Sequence, residues 1–301
     1  MPSALDTPQG AAELAESLLP PLGKRWLHTQ AVAVRAQEAT AAVSKDDRDL
    51  LVASAWLHDI GYAPDLRDTG FHPLDGARHL ESLGAPARLV RLVAHHSGAV
   101  YEAEQRGLSA ELAVYEREDS PALDALIFAD MTTGPAGQSF DFNARIEEIL
   151  VRYEPGSDVH TAISKARSYL GVAVERTERR IAAFTSLPPS QRAIIDGTDW
   201  WPPTLFAVEH QDVELLARLL DAGADPDEGN GATPLTHAIE AEGDGALQSR
   251  TPLTVATTAV LLAYGANPAL PDRTGETPLQ VAERYDHGPA IRLLRRHLPG
   301  V

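Results

Sequence analysis

The C-terminal third of the chain repeats itself. An internal repeat restricts the fold more than composition does, because each unit can bury its apolar face only on a neighbouring copy. "DAGADPD" at Asp221 returns as "AYGANPA" at Ala263, and "ATPLTHA" at Ala232 returns as "ETPLQVA" at Glu276. Within a unit, Thr-Pro-Leu opens one helix, a Leu-rich stretch such as "VELLARLLDAG" forms a second, and Gly ends it before a turn. A stack of helix pairs is expected.

These units resemble ankyrin repeats over about Trp201 to Leu298, as three copies: Pro202 to Asp227, Thr233 to Pro268 and Thr277 to Leu298. The first opens with "PPTL" in place of Thr-Pro-Leu, and the second carries an insertion around "EAEGDGALQSR". The resemblance implies a protein partner on the extended face of the stack. Before the repeats, "SLPPSQRAIIDGTDWWPP" (Ser186 to Pro203) interrupts the apolar periodicity with prolines. It reads as a linker at 186–203, between a first domain at 1–185 and a repeat domain at 204–301.

The first domain reads as successive helices. "QAVAVRAQEATAAV", "DDRDLLVASAWLHD", "DGARHLESLG", "PARLVRLVAHH", "PALDALIFADM" and "DVHTAISKARSYLGVAVERTERRIAAF" carry apolar residues at three- and four-residue spacing, stopped by Gly or Pro. The fold class expected for the whole is all-α. The chain has 301 residues, of which 44% are hydrophobic, enough for two cores. It lacks cysteine, so any metal must be held by imidazole and carboxylate, and a reducing cytoplasm is the expected location. No basic leader precedes an apolar stretch at the start, and no run reaches the roughly eighteen apolar residues of a membrane span, so a soluble protein is expected. A formal charge of −17 argues against nucleic-acid and membrane-surface partners, which are held by Lys and Arg. A small anionic substrate would need bound cations to meet it.

Histidines gather where such cations could sit. Of the eleven in the chain, those at 28, 58, 72, 79, 95 and 96 fall in "RWLHTQAVAV", "AWLHDIGY", "GFHPLDGARHL" and "LVAHHSGA", and Asp130 follows at the end of the apolar "LIFADMTT". In this order the chain resembles the HD-domain metal-dependent phosphohydrolases over roughly residues 20 to 185. The resemblance implies an HD-type helical bundle followed by the short ankyrin-repeat stack, with His28, His58, Asp59 and Asp130 as ligands from different helices. It also implies a second ion on His72, His95 and His96, with Asp59 as the bridge and central catalytic carboxylate. Two divalent ions, Mn, Fe or similar, suit imidazole and carboxylate donors. Adjacent residues on a helix point about 100° apart, so His95 and His96 converge only at a helix end, which Ser97-Gly98 allows.

His79 matches no ligand position and reads as a packing residue, and His160, His210, His237, His287 and His297 read as surface or repeat-packing residues. Lys24 and Arg25 before His28, with Arg67, Lys165 and Arg167, are the basic candidates for a substrate phosphate, each with a solvated surface role as its plainer reading. "HHSGAVYEAEQRG" departs from the Gly-Tyr-Pro continuation of the cyclic-di-GMP branch of the family, and no acidic pair of the ppGpp-hydrolase branch is found. The expected activity is therefore hydrolysis of a phosphate ester or anhydride in a small, nucleotide-like substrate. Two alternatives stand beside it: an HD-fold di-iron oxygenase, and a non-catalytic sensor whose ankyrin surface matters most.

Overall fold

The computed structural model describes residues 4–198 and 201–298, and contacts divide the chain into Met1–Glu178 and Arg179–Val301. The described residues form helices, with one isolated antiparallel bridge between Thr133 and Ser139. The fold is all-α. No helix among them is long and apolar enough to cross a membrane.

The first unit contains α1 (Pro8–Leu18), α2 (Lys24–Glu38), α3 (Arg48–Leu57), α4 (His72–Ser82), α5 (Ala87–His95), α6 (Ala99–Arg106), α7 (Ser109–Leu112), α8 (Pro121–Met131) and α9 (Phe142–Arg152). Then α10 (Asp158–Ser186) runs through the unit boundary. Patterning explains the centre. In α8, every residue from Ala122 to Met131 is buried, as expected of a segment apolar on nearly every side, broken by Asp124 and Asp130. Its first turn is closed by Ser120, whose hydroxyl accepts from the Leu123 amide, with Pro121 at the first helical position. α2 buries one stripe, His28, Thr29, Val32, Ala33 and Ala36, at the spacing of a single helix face. α2, α3 and α8 pack on one another. Leu57, Ile60, Phe71, Leu74, Leu80, Leu89 and Val93 build the adjoining core under α4 and α5.

In the second unit the repeats form pairs: α12 (Pro203–Glu209) with α13 (Val213–Asp221), α14 (Pro234–Ser249) with α15 (Ala256–Ala263), and α16 (Pro278–Arg284) with α17 (Gly288–His297). Thr233 and Thr277 cap α14 and α16, each in a reciprocal capping box followed by Pro. α12, α14 and α16 pack in sequence, as do α13, α15 and α17.

Two expectations change in detail. The 186–203 stretch is not irregular: it contains α11 (Pro189–Asp196), with Pro189 at a position where its missing N–H is no loss. Asp199 and Trp200 of that stretch lie outside the described residues. The insertion in the second repeat does not loop out either, but lengthens α14 to Ser249. Gly243 fits there because its backbone lies against the Tyr285 ring.

Candidate metal centre

Each clustered side chain sits at a helix terminus or on a buried stripe. His28 is on the inner face of α2; His58 closes α3 and Asp59 follows it; His72 opens α4; His96 follows α5; Asp130 lies in the last turn of α8. Close backbone approach sets the spacing. A Cβ on Gly61 would lie 2.1 Å from the His72 carbonyl oxygen, so only glycine lets the turn after Asp59 meet the start of α4. The loop before His72 is tied down by buried Asp75, which accepts from the Thr69 amide (2.9 Å), the Thr69 hydroxyl (2.7 Å) and the Gly70 amide (3.0 Å).

Two donor sets result: His28, His58 and Asp130, and beside them Asp59, His72 and His96, each with ligand atoms within 4.8 Å of one another. Asp59 joins the two. Its Oδ2 lies 3.3 Å from His58 Nε2 and 3.8 Å from His28 Nε2, while its Oδ1 lies 3.3 Å from His72 Nε2.

The hydrogen bonds show what these groups need. His28 Nδ1 faces the Gly134 carbonyl (3.0 Å), His58 Nδ1 the Ala55 carbonyl (2.7 Å) and His96 Nδ1 the Val93 carbonyl (2.6 Å). A carbonyl only accepts, so each Nδ1 carries a proton, and each ring, when neutral, turns an Nε2 lone pair inward. What those lone pairs meet are acceptors. His28 Nε2 lies 3.0 Å from Asp130 Oδ1, His96 Nε2 lies 3.1 Å from His72 Nε2, and buried His58 Nε2 makes no hydrogen bond despite the nearby Asp59 oxygen. Lone pairs facing carboxylates are satisfied by extra protons or by cations. Three imidazoles oriented through backbone carbonyls, with two carboxylates and no sulfur, fit a divalent metal of the Mn or Fe type.

The electrostatics agree. Burial opposes charge on His58, but the Asp59 and Asp130 carboxylates outweigh it and hold its pKa up at about 9. Burial likewise opposes ionisation of Asp59, yet Arg25 and His58 keep it well below the usual carboxylate range. Asp130 is held low against burial by the His28 hydrogen bond and by the charges of His28, His58 and Arg145. Burial and the other imidazoles push His72 well down and His96 to about 4. A proton held at His58 occupies the place a cation would take.

Of the basic candidates, only Arg25 reaches the centre. Its Nη1 donates to Asp59 Oδ2 at 2.8 Å and its guanidinium carbon lies 4.0 Å from the Tyr62 ring centroid, while Tyr62 in turn stacks on His72 at 4.0 Å. Lys24 is exposed and does not line the cleft. Arg67 donates to the Tyr62 carbonyl from an exposed position, Lys165 pairs with Glu104, and Arg167 pairs with Glu147. None of these four lines the cleft.

His95 is also displaced from its expected place. α5 ends at His95, His96 turns extended, and Ser97 takes φ +50°, so the two imidazoles part. His96 enters the second donor set, whereas His95 Nε2 donates to the Tyr115 carbonyl at 2.5 Å and the ring lines a separate cavity with Val100, Leu112 and Tyr115. His79 belongs to neither set. His287 is buried repeat packing, its Nδ1 accepting from the Ala290 amide at the start of α17.

The cleft over Asp59, His72, His96 and Asp130 encloses about 600 Å³ including its open mouth. Its lining includes polar residues that were not nominated from the sequence, Ser97, Arg145 and Arg152 among them. The Ser97 hydroxyl donates to Asp130 Oδ2, and Arg145 and Arg152 of α9 line the wall. The one signal for the arginines was their seven-residue separation, which puts both on one helix face.

Residues 25–131 match the family model of the HD domain. A comparison with curated proteins gives no match. Among solved structures, the crystal structure of the human ASB11 ankyrin repeat domain is similar at 18% identity and a TM-score of 0.26, over 79% of this chain and 96% of that one. A superposition that loose carries no argument, and the repeat reading rests on the capped helix pairs.

Proposed function

We propose that this chain, whose residues 25–131 match the HD domain typical of metal-dependent hydrolases, cleaves a phosphate ester or anhydride of a small, nucleotide-like substrate. The observation that carries the reading is the set of inward Nε2 lone pairs of His28, His58 and His96, each fixed by a backbone carbonyl behind it and facing Asp130, Asp59 or His72. His28, His58 and Asp130 would hold one divalent ion and His72 with His96 a second, with Asp59 beside both. Bound ions would acidify a water and neutralise charge on the phosphoryl group.

The chain's own residues do the rest. Arg25, braced between Asp59 and Tyr62, presents a fixed guanidinium beside the reacting phosphate. Ser97 fixes Asp130 through its second oxygen, and the Tyr62 ring holds the His72 plane. The repeats would supply a surface for a protein partner.

Elemental analysis of the purified full chain after Mn loading, with a screen of nucleotides and phosphate esters, tests the reading. Close to two ions per chain and Mn-dependent phosphate release, both reduced in Asp59→Ala, are expected. A protein that takes up no ion at saturating Mn overturns it, and dioxygen consumption without phosphate release assigns the same ligands to oxygenase chemistry.

A further inference from the structure

Arg145 and Arg152 lie outside the HD segment, on the helix that closes the cleft. Arg145 is 4% exposed, its Nε is buried with no hydrogen-bond partner, and among the described residues its guanidinium donates to Glu148. Glu148 also lies 3.6 Å from Arg152 Nε, so two guanidiniums share one carboxylate. A buried guanidinium is costly unless its charge and N–H groups are matched, and here the Arg145 Nε–H is left unmatched. Ile149 stands between them on the same face of α9, and it lines the cleft with Val159 and Ile163. The cleft thus has a metal end, where Arg25 is tied to Asp59 at 2.8 Å, and a cationic end on α9, whose Arg145 charge reaches Asp130.

We propose that Arg145 and Arg152 form an anion subsite for a second phosphate of the substrate, beyond the one that reacts. The inference rests on the hydrolase reading for which phosphate reacts. The substrate is then a compound with two phosphoryl groups joined through an organic body, the reacting group at the ions and the other in the guanidinium pair. Planar guanidiniums bind phosphate in a two-pronged way that ammonium cannot copy.

The test is calorimetric titration of the full chain, equilibrated with Mn, with non-hydrolysable α,ω-alkane bisphosphonates of increasing linker length, against propylphosphonate. At least one linker is expected to bind tenfold or more tightly than propylphosphonate, and Arg152→Ala should bring that ratio close to one. Arg145→Lys, which keeps the charge but loses the fork, should also lower it; if that variant fails to fold, Arg152→Ala decides. A gain below tenfold at every length, or one that survives in Arg152→Ala, overturns the proposal. The two readings fail separately. Arginine-dependent preference in a chain that takes no Mn and releases no phosphate leaves the subsite standing and removes the hydrolase, while hydrolysis without the preference removes the subsite alone.

Discussion

At the residue scale, His58 links metal uptake to pH. His58 is held at about 9, above its ordinary 6.5, by the Asp59 and Asp130 carboxylates. Its proton stabilises the metal-free fold fully below about pH 6.5, and that contribution is lost as pH rises toward 9. Metal uptake must displace the same proton. Apparent Mn affinity should therefore climb by up to about tenfold per pH unit toward pH 9 and then level off, with proton release on binding. A flat affinity between pH 7 and 9 in a buffered Mn titration would remove His58 from the ligand set. The neighbouring dipeptide gives a second check. His96→Ala should lose about one ion per chain, whereas His95→Ala should keep both, because His95 turns to the Tyr115 carbonyl. Sequence alone could not divide the pair, since the division depends on Ser97 taking φ +50° and breaking the helical order of the two rings.

At the element scale, legibility follows burial. α8 was readable in its bounds, because "PALDALIFADM" is mostly apolar and starts at a proline. The order His28, His58-Asp59, Asp130 was also readable, through its resemblance to the HD-domain pattern and not through any local periodicity. Arg145 was not. On an amphipathic helix an arginine reads as solvated, and its burial depends on the elements packed around α9, which no local pattern encodes. The meeting of Gly61 with α4 was equally hidden, being a contact between segments. It yields a prediction at this scale: a methyl at Gly61 would strike the His72 carbonyl and the Gly76 amide, both backbone atoms that cannot rotate away. Gly61→Ala should cost about 1–3 kcal/mol of overpacking strain and push His72 off its donor set. The measurements are urea unfolding together with metal content, and unchanged values for both would show that α4 yields without consequence.

At the scale of the whole molecule, the repeats announced themselves through Thr-Pro-Leu and the Gly-containing turns, yet what secures the irregular middle repeat did not. α15 begins without a side-chain cap on its own preceding residue, Val255. Its first amides are instead met from α14: buried Glu242 accepts from the Thr257 amide (3.0 Å), the Thr258 amide (3.2 Å) and both threonine hydroxyls (2.6 Å each), with His287 Nε2 3.7 Å from its other side. The glutamate belongs to the stretch that looked like an insertion, so the lengthened α14 carries the group that closes the next helix, and a carboxylate at a helix N-terminus is favoured by the helix dipole as well. Removing it strands buried donors, each worth about 1–3 kcal/mol when left unmade. Glu242→Ala should therefore lower the stability of the repeat unit by on the order of 3 kcal/mol. Amide exchange should accelerate across α14 and α15, and Glu242→Gln, which keeps an acceptor oxygen, should recover part of the protection. Exchange in α15 unaltered by Glu242→Ala would mean that the threonines cap the helix without it.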